Sequence, residues 1–247
     1  MIEVNGITRT YGAETAVEDL SFRVESGEVL GLVGPNGAGK TTTLRCIVGI
    51  MRPDRGDVLI DGVSITNDPI RAKRSVAFMP DEPRLFDHLT VDEHLRFIAR
   101  IYNVDGFEHK AKLLLDELEL SERRESLPDE LSRGMKQKLG IACGLLHQPG
   151  NLIFDEPLTG LDPLGIRRMK ETILNRARLG VSVIVSSHLL HLVEEICDRI
   201  LVLKAGRKVI HGSFGEISLS MQGLKQDLNL EELFLHITGS ETEPEKR

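Results

Sequence analysis

The stretch Glu28-Val29-Leu30-Gly31-Leu32-Val33-Gly34-Pro35-Asn36-Gly37-Ala38-Gly39-Lys40-Thr41-Thr42 decides how the rest of the chain is read. Its first six residues are nearly all apolar, as in a strand buried on both faces of a sheet. Gly34-x-x-x-x-Gly39-Lys40-Thr41 then fits a phosphate-binding loop in full. Glycines let successive N–H groups turn inward around an anion, and the helix that follows adds partial positive charge. In this reading Pro35, Asn36, Gly37, Ala38 and Thr42 complete the cradle. Lys40 reaches the β- and γ-phosphates of ATP, and the Thr41 hydroxyl ligates Mg²⁺. The plainer alternative is a Gly-rich turn before a capped helix. The strand before and the helix after argue against it.

A second motif answers the first. Asn151-Leu152-Ile153-Phe154-Asp155-Glu156 is an apolar run ending in two carboxylates. Alone it is an ordinary strand end. Beside a phosphate loop it gains a role, because ligands bind at the C-terminal edge of a parallel sheet. Asp155 is then expected in the magnesium shell. Glu156 is expected to face the γ-phosphate and to orient or deprotonate the attacking water.

Outward from these motifs the chain alternates. Short β-branched segments at 2–4, 16–24 and 57–60 read as strands separated by Gly-containing turns. Residues 42–50 read as a helix and 75–79 as a strand closed by Pro80. From about 81 to 148 the pattern is helical. Thr90-Val91-Asp92-Glu93 is a capping box, a second helix is expected over 112–120, and a third opens at Ser132. Asp162-Pro163 is an N-cap followed by Pro at the first helical position. Strands are expected at 151–154 and 181–185, a helix at 189–197, and a hairpin over 199–210. The plan is an α/β core with extra strands at its start and a helical insert.

The 247 residues are 40% hydrophobic and 28% charged, ordinary values for a globular protein, and the net charge of −7 carries no basic arm pointing to nucleic acid. Cys46, Cys143 and Cys197 are far apart among apolar neighbours and read as buried thiols rather than metal or redox groups. No leader pattern and no membrane-spanning run is evident, so the expected location is cytoplasmic, or membrane-associated through a partner.

With both motifs placed, residues from about 2 to 212 resemble the ATP-binding subunits of ABC transporters. Leu131-Ser132-Arg133-Gly134-Met135 is similar to that family's signature, and Thr159-Gly160-Leu161-Asp162 to its D-loop. His188 falls at the switch histidine, Tyr11 where an aromatic stacks on adenine, and Phe78-Met79-Pro80-Asp81-Glu82 at the Q-loop. The resemblance implies a P-loop NTPase core with an antiparallel β subdomain and a helical subdomain, over residues 1–216. It implies catalysis by Glu156, His188 and Lys40. It also implies a head-to-tail dimer, of two identical chains or of paired ATPase subunits. There Ser132 and Gly134 of one subunit close on the γ-phosphate held by the other, with Asp162 at the same interface. The partner implied is an integral permease of the exporter class, with this chain peripheral on the inner face of the cell membrane.

Two motifs depart from the pattern. Arg133 and Met135 stand where the signature carries Gly and Gln. Asp81 replaces the Q-loop glutamine and is expected near Mg²⁺, with Glu82 as the alternative occupant. Leu85 and Phe86, in an expected surface loop, suggest either a docking contact or a local core. Residues 217–247 are expected to hold an amphipathic helix, with Leu230, Leu233, Phe234 and Ile237 at helical spacing, and then a polar tail. Two rivals remain: an ABC-type ATPase acting on DNA or ribosomes, and a regulator that binds ATP without hydrolysing it. The first lacks a coiled-coil insert or a second cassette here, and Glu156 and His188 argue against the second.

Overall fold

In the computed structural model, which describes residues 1–188 and 190–220, the chain begins as β1 (Ile2–Tyr11) paired antiparallel with β2 (Glu14–Val24). β3 (Val29–Val33) leaves for a second sheet, while β4 (Arg55–Ile60) and β5 (Val63–Ser64) complete a four-stranded antiparallel sheet of order β2-β1-β4-β5. Ile2, Val4, Ile7, Leu20 and Val58 turn inward from it and are fully covered.

β6 (Val76–Met79), β7 (Asn151–Asp155), β8 (Ser182–Ser186) and β9 (Arg199–Lys204) run parallel around β3, and β10 (Arg207–Gly212) adds antiparallel to β9. The order is β10-β9-β3-β8-β7-β6. β3 shows why the inner strands of this sheet are largely apolar. Val29 and Val33 join the core on the helical side, while Leu30 and Leu32 join the core shared with the antiparallel sheet. Both faces are covered, as a parallel sheet requires.

α1 (Lys40–Ile47) follows the phosphate loop, and α2 (Pro69–Arg74) precedes β6. The insert carries α3 (Val91–Tyr102), α4 (Phe107–Glu117) and α5 (Arg133–Leu145). α6 (Pro163–Arg178) and α7 (Leu190–Ile196) return to the core, and α8 (Phe214–Ser220) packs beside β10. The capping box forms as expected, with Thr90 accepting from Glu93 N and Glu93 from Thr90 N.

Several boundaries differ from the sequence expectation. β1 continues to Tyr11, because Gly6 (φ 59) shifts its register without ending it. α1 starts at Lys40 and stops before Gly49 (φ 64). α4 lies five residues earlier than expected at its start, between left-handed Gly106 and Glu119. α2 and β5 were not anticipated; each is too short to show a period, although Asp68-Pro69 is a helix-start signal. The C-terminal helix expected around Leu230 to Ile237 lies outside the described residues. Among the described residues no helix is long and apolar enough to cross a membrane. The cysteines are free thiols, and burial pushes Cys46 up to about 11 and Cys143 up to about 12.

Candidate phosphate-handling site

Strand register assembles the site. Leu32 pairs with Ser186, Ser186 with Asp155, and Met79 with Phe154. The ends of β3, β8, β7 and β6 therefore bring the phosphate loop, His188, Glu156 and Asp81 out along one edge, in that order. This is the C-terminal edge expected to hold ligands.

The loop between β3 and α1 is shaped by close approach. A Cβ on Gly34 would lie 2.4 Å from Leu203 O, and one on Gly39, at φ +99, 2.3 Å from Ala16 O. No other residue fits either position. Asn36 and Gly37 are exposed, and Thr41 and Thr42 are half-buried at the start of α1. Lys40 is buried, and its ammonium donates to Gly34 O at 2.7 Å and Pro35 O at 3.3 Å. Burial lowers its pKa from the ordinary lysine value, and the charges of Glu156 and Asp155 oppose that shift. Those three groups thus share one electrostatic neighbourhood.

Asp155 is 6% exposed. Its Oδ1 accepts from Ser186 Oγ at 2.5 Å, and the same hydroxyl accepts from Glu156 N at 3.1 Å. Glu156 stands at φ 52, a left-handed conformation that costs a non-glycine residue about 1 kcal/mol or more. The bend turns its side chain to His188, where Nδ1 and Oε2 lie 2.8 Å apart. Gln137, buried on α5, donates to Glu156 O at 3.4 Å. Ser186 and Gln137 are site residues that sequence reasoning missed. Ser186 had one signal, a hydroxyl at the end of an apolar strand; Gln137 had none beyond a polar residue on a buried helix face.

The remaining candidates sit further out. Ser132 caps α5, accepting from Met135 N at 3.3 Å, and Asp162 caps α6, accepting from Gly165 N at 2.7 Å. Gly134 packs beside Gly160 and Leu161. Tyr11 is 43% exposed at the end of β1, with its hydroxyl on Met51 Sδ and the Arg9 guanidinium 5.4 Å from its ring centroid. Asp81 pairs with Arg133 at 3.2 Å. The Leu85–Phe86 question is decided by geometry. Leu85 packs on the core, whereas Phe86 is exposed and meets Phe97 edge-to-face at 5.1 Å.

A protein-family model described as ABC transporter matches residues 17–159. The ABC-type transporter ATP-binding protein EcsA of Bacillus subtilis (strain 168) is 34% identical over 240 residues, 96% of each chain. The SkfA peptide export ATP-binding protein SkfE of the same organism is 37% identical, over 84% of this chain and 87% of its own. Among solved structures, an ATP-binding subunit of an ABC transporter superposes with a TM-score of 0.91 at 37% identity. That match covers 96% of this chain and 99% of the other.

Proposed function

We propose, for a chain that belongs to the ABC transporter family and is one of its ATP-binding, ATP-hydrolysing subunits, a division of labour among the residues just placed. The loop amides of 34–41 and Lys40 hold the β- and γ-phosphates, and Tyr11 stacks on adenine. Glu156 takes the proton of the attacking water, and His188, 2.8 Å away, fixes the carboxylate and contacts the γ-phosphate. The observation that carries this reading is the shared edge of Lys40, Asp155, Glu156 and His188.

The donor set suits magnesium: a half-buried threonine hydroxyl and a buried carboxylate are hard oxygen ligands. Thr41 and Asp155 would hold the ion directly, and Asp81, engaged by Arg133, would contribute to its outer shell. When bound it screens phosphate charge. Ser186 keeps Asp155 oriented for this task.

Ser132 and Gly134 face a second subunit's nucleotide in a head-to-tail dimer, with Asp162 between the two sites. A helix start that offers N–H groups and a hydroxyl can take up an anion. The permease is proposed to dock at a groove of about 650 Å³ lined by Ile50, Phe78, Leu85, Phe86, Phe97 and Ile98. These apolar side chains, with Arg45, Glu82 and Arg84 beside them, fit an amphipathic helix, and the peptide-export relative favours an exporter-type permease. The chain would then lie peripherally on the inner membrane face.

Glu156→Gln tests the site. It should bind ATP with near-normal affinity, lose roughly 100-fold or more of turnover, and accumulate as an ATP-dependent dimer in sedimentation. Unchanged turnover would remove Glu156 from catalysis.

A further inference from the structure

Two of the positions at which the chain departs from its family's pattern, Asp81 and Arg133, touch each other. Arg133 Nη2 donates to Asp81 Oδ1 at 3.2 Å, across different elements. Arg133 is the first residue of α5, directly after the Ser132 cap; Asp81 lies two residues past the end of β6. The same side chain crosses the turn before α6. A Cβ on Gly160 would meet Arg133 Nε at 3.6 Å and Cδ at 3.7 Å, and one on Gly134 would meet Leu161 of that turn at 3.5 Å.

One residue thus spans three segments: the loop that leads into the groove, the helix start that carries Ser132 and Gly134, and the turn that carries Asp162. Arg133 is 58% exposed and Asp81 38%, so the pair adds little to folding stability. What a planar guanidinium on a long stem supplies is defined geometry. A glycine at 133 has no atoms to make these contacts.

We propose that Arg133 is a positioning residue that acts through Asp81 and Gly160, making the three segments move as one unit. Closure on the partner's nucleotide then shifts the groove loop, and occupancy of the groove favours closure. The inference rests on the assignment of Ser132 and Gly134 to a second subunit's γ-phosphate.

The test is a double-mutant cycle in the full chain: Asp81→Asn, Arg133→Met and the two together. Turnover is followed against ATP concentration, and ATP-dependent dimerisation is measured for each in a Glu156→Gln background. Each single change should lower kcat roughly three- to tenfold and flatten the cooperativity in ATP, with KM within about twofold. The double variant should be no worse than either single, and Arg133→Lys, which keeps charge and reach, should recover at least about half of the loss. Additive losses would overturn the proposal and put Arg133 on the partner's phosphate directly; so would Arg133→Lys behaving like Arg133→Met. Thermal melting checks each fold, and Arg133→Gln replaces any variant that melts early. Wild-type protein that neither hydrolyses ATP nor allows a Glu156→Gln dimer would sink the functional reading itself. An active, dimerising wild type with an additive cycle would sink only the role of Arg133.

Discussion

Asp155 and Asp81 stand at the ends of neighbouring strands, β7 and β6, yet they are held by different means. Asp155 is buried, and a hydroxyl from β8 fixes it at 2.5 Å in a register set by apolar pairing on both faces. Asp81 is 38% exposed and is fixed by one arginine from the helical insert. The sheet edge, where phosphate chemistry is proposed, is held by paired strands on both sides of β8. The insert-facing loop is held by groups that a modest movement can exchange. A catalytic constellation tolerates displacements of well under an ångström, whereas a coupling contact must change state, so the two kinds of anchoring suit the two tasks proposed for them.

The contrast breaks if the sheet edge proves expendable. Lys40→Ala should have the largest effect. It removes a buried cation that faces two carboxylates and the phosphate loop, and should weaken ATP binding by roughly 100-fold or more, equivalent to about 3 kcal/mol. Equilibrium binding of a fluorescent ATP analogue measures this. Near-normal affinity would undo the assignment of the phosphate loop.

Ser186→Ala probes the sheet edge more gently. It takes one donor from Asp155 and one acceptor from Glu156 N while leaving every charge in place. Loss of a hydrogen bond to a buried charge is worth about 1.5–3 kcal/mol, so kcat should fall roughly 10- to 100-fold with the fold intact. A fall below about twofold would mean that β7 alone holds the carboxylates, and would narrow the difference between the two regions.

How much of this was legible in the sequence follows the same division. The glycine loop between β3 and α1, the carboxylates at the end of β7 and the caps at Thr90, Ser132 and Asp162 were readable because each is a local pattern: a glycine spacing, an apolar strand with a charged end, a hydroxyl or carboxylate before a helix. The α/β plan with its helical insert followed from the same periodicities. Ser186, Gln137 and the Asp81–Arg133 pair were not readable, because they depend on which strands and helices lie side by side. A serine ending one apolar strand gains meaning only when register sets it opposite a carboxylate. The extension of β1 was hidden for a different reason. Gly6 looks like a terminator, and only cross-strand pairing shows that the strand continues past it.

The smallest expected effect concerns what lies beneath the insert-facing groove. His147 follows α5, stacked on Tyr102 at 3.8 Å, and lines a cavity that shares Ile50, Phe78 and Ile98 with the groove. Neither of its ring nitrogens has a hydrogen-bond partner among the described residues. Burial pulls its pKa from 6.5 down to about 4, and burial does the same to His211 on β10. Both are neutral in the folded chain at pH 5.5, while in the unfolded chain both are largely protonated. The stability they contribute is therefore complete above pH 6.5 and is lost as pH falls toward 4. Allowing for their partial exposure, Tm should drop by roughly 2–4 °C between pH 7.5 and 5.5. His147→Phe, which keeps a stacked ring without a titrating group, should remove about half of that drop and leave the share due to His211. Thermal melts of the two proteins at both pH values decide the matter. An unchanged pH slope in the variant would show that the ring is solvated, and that the groove side does not rest on a neutral imidazole.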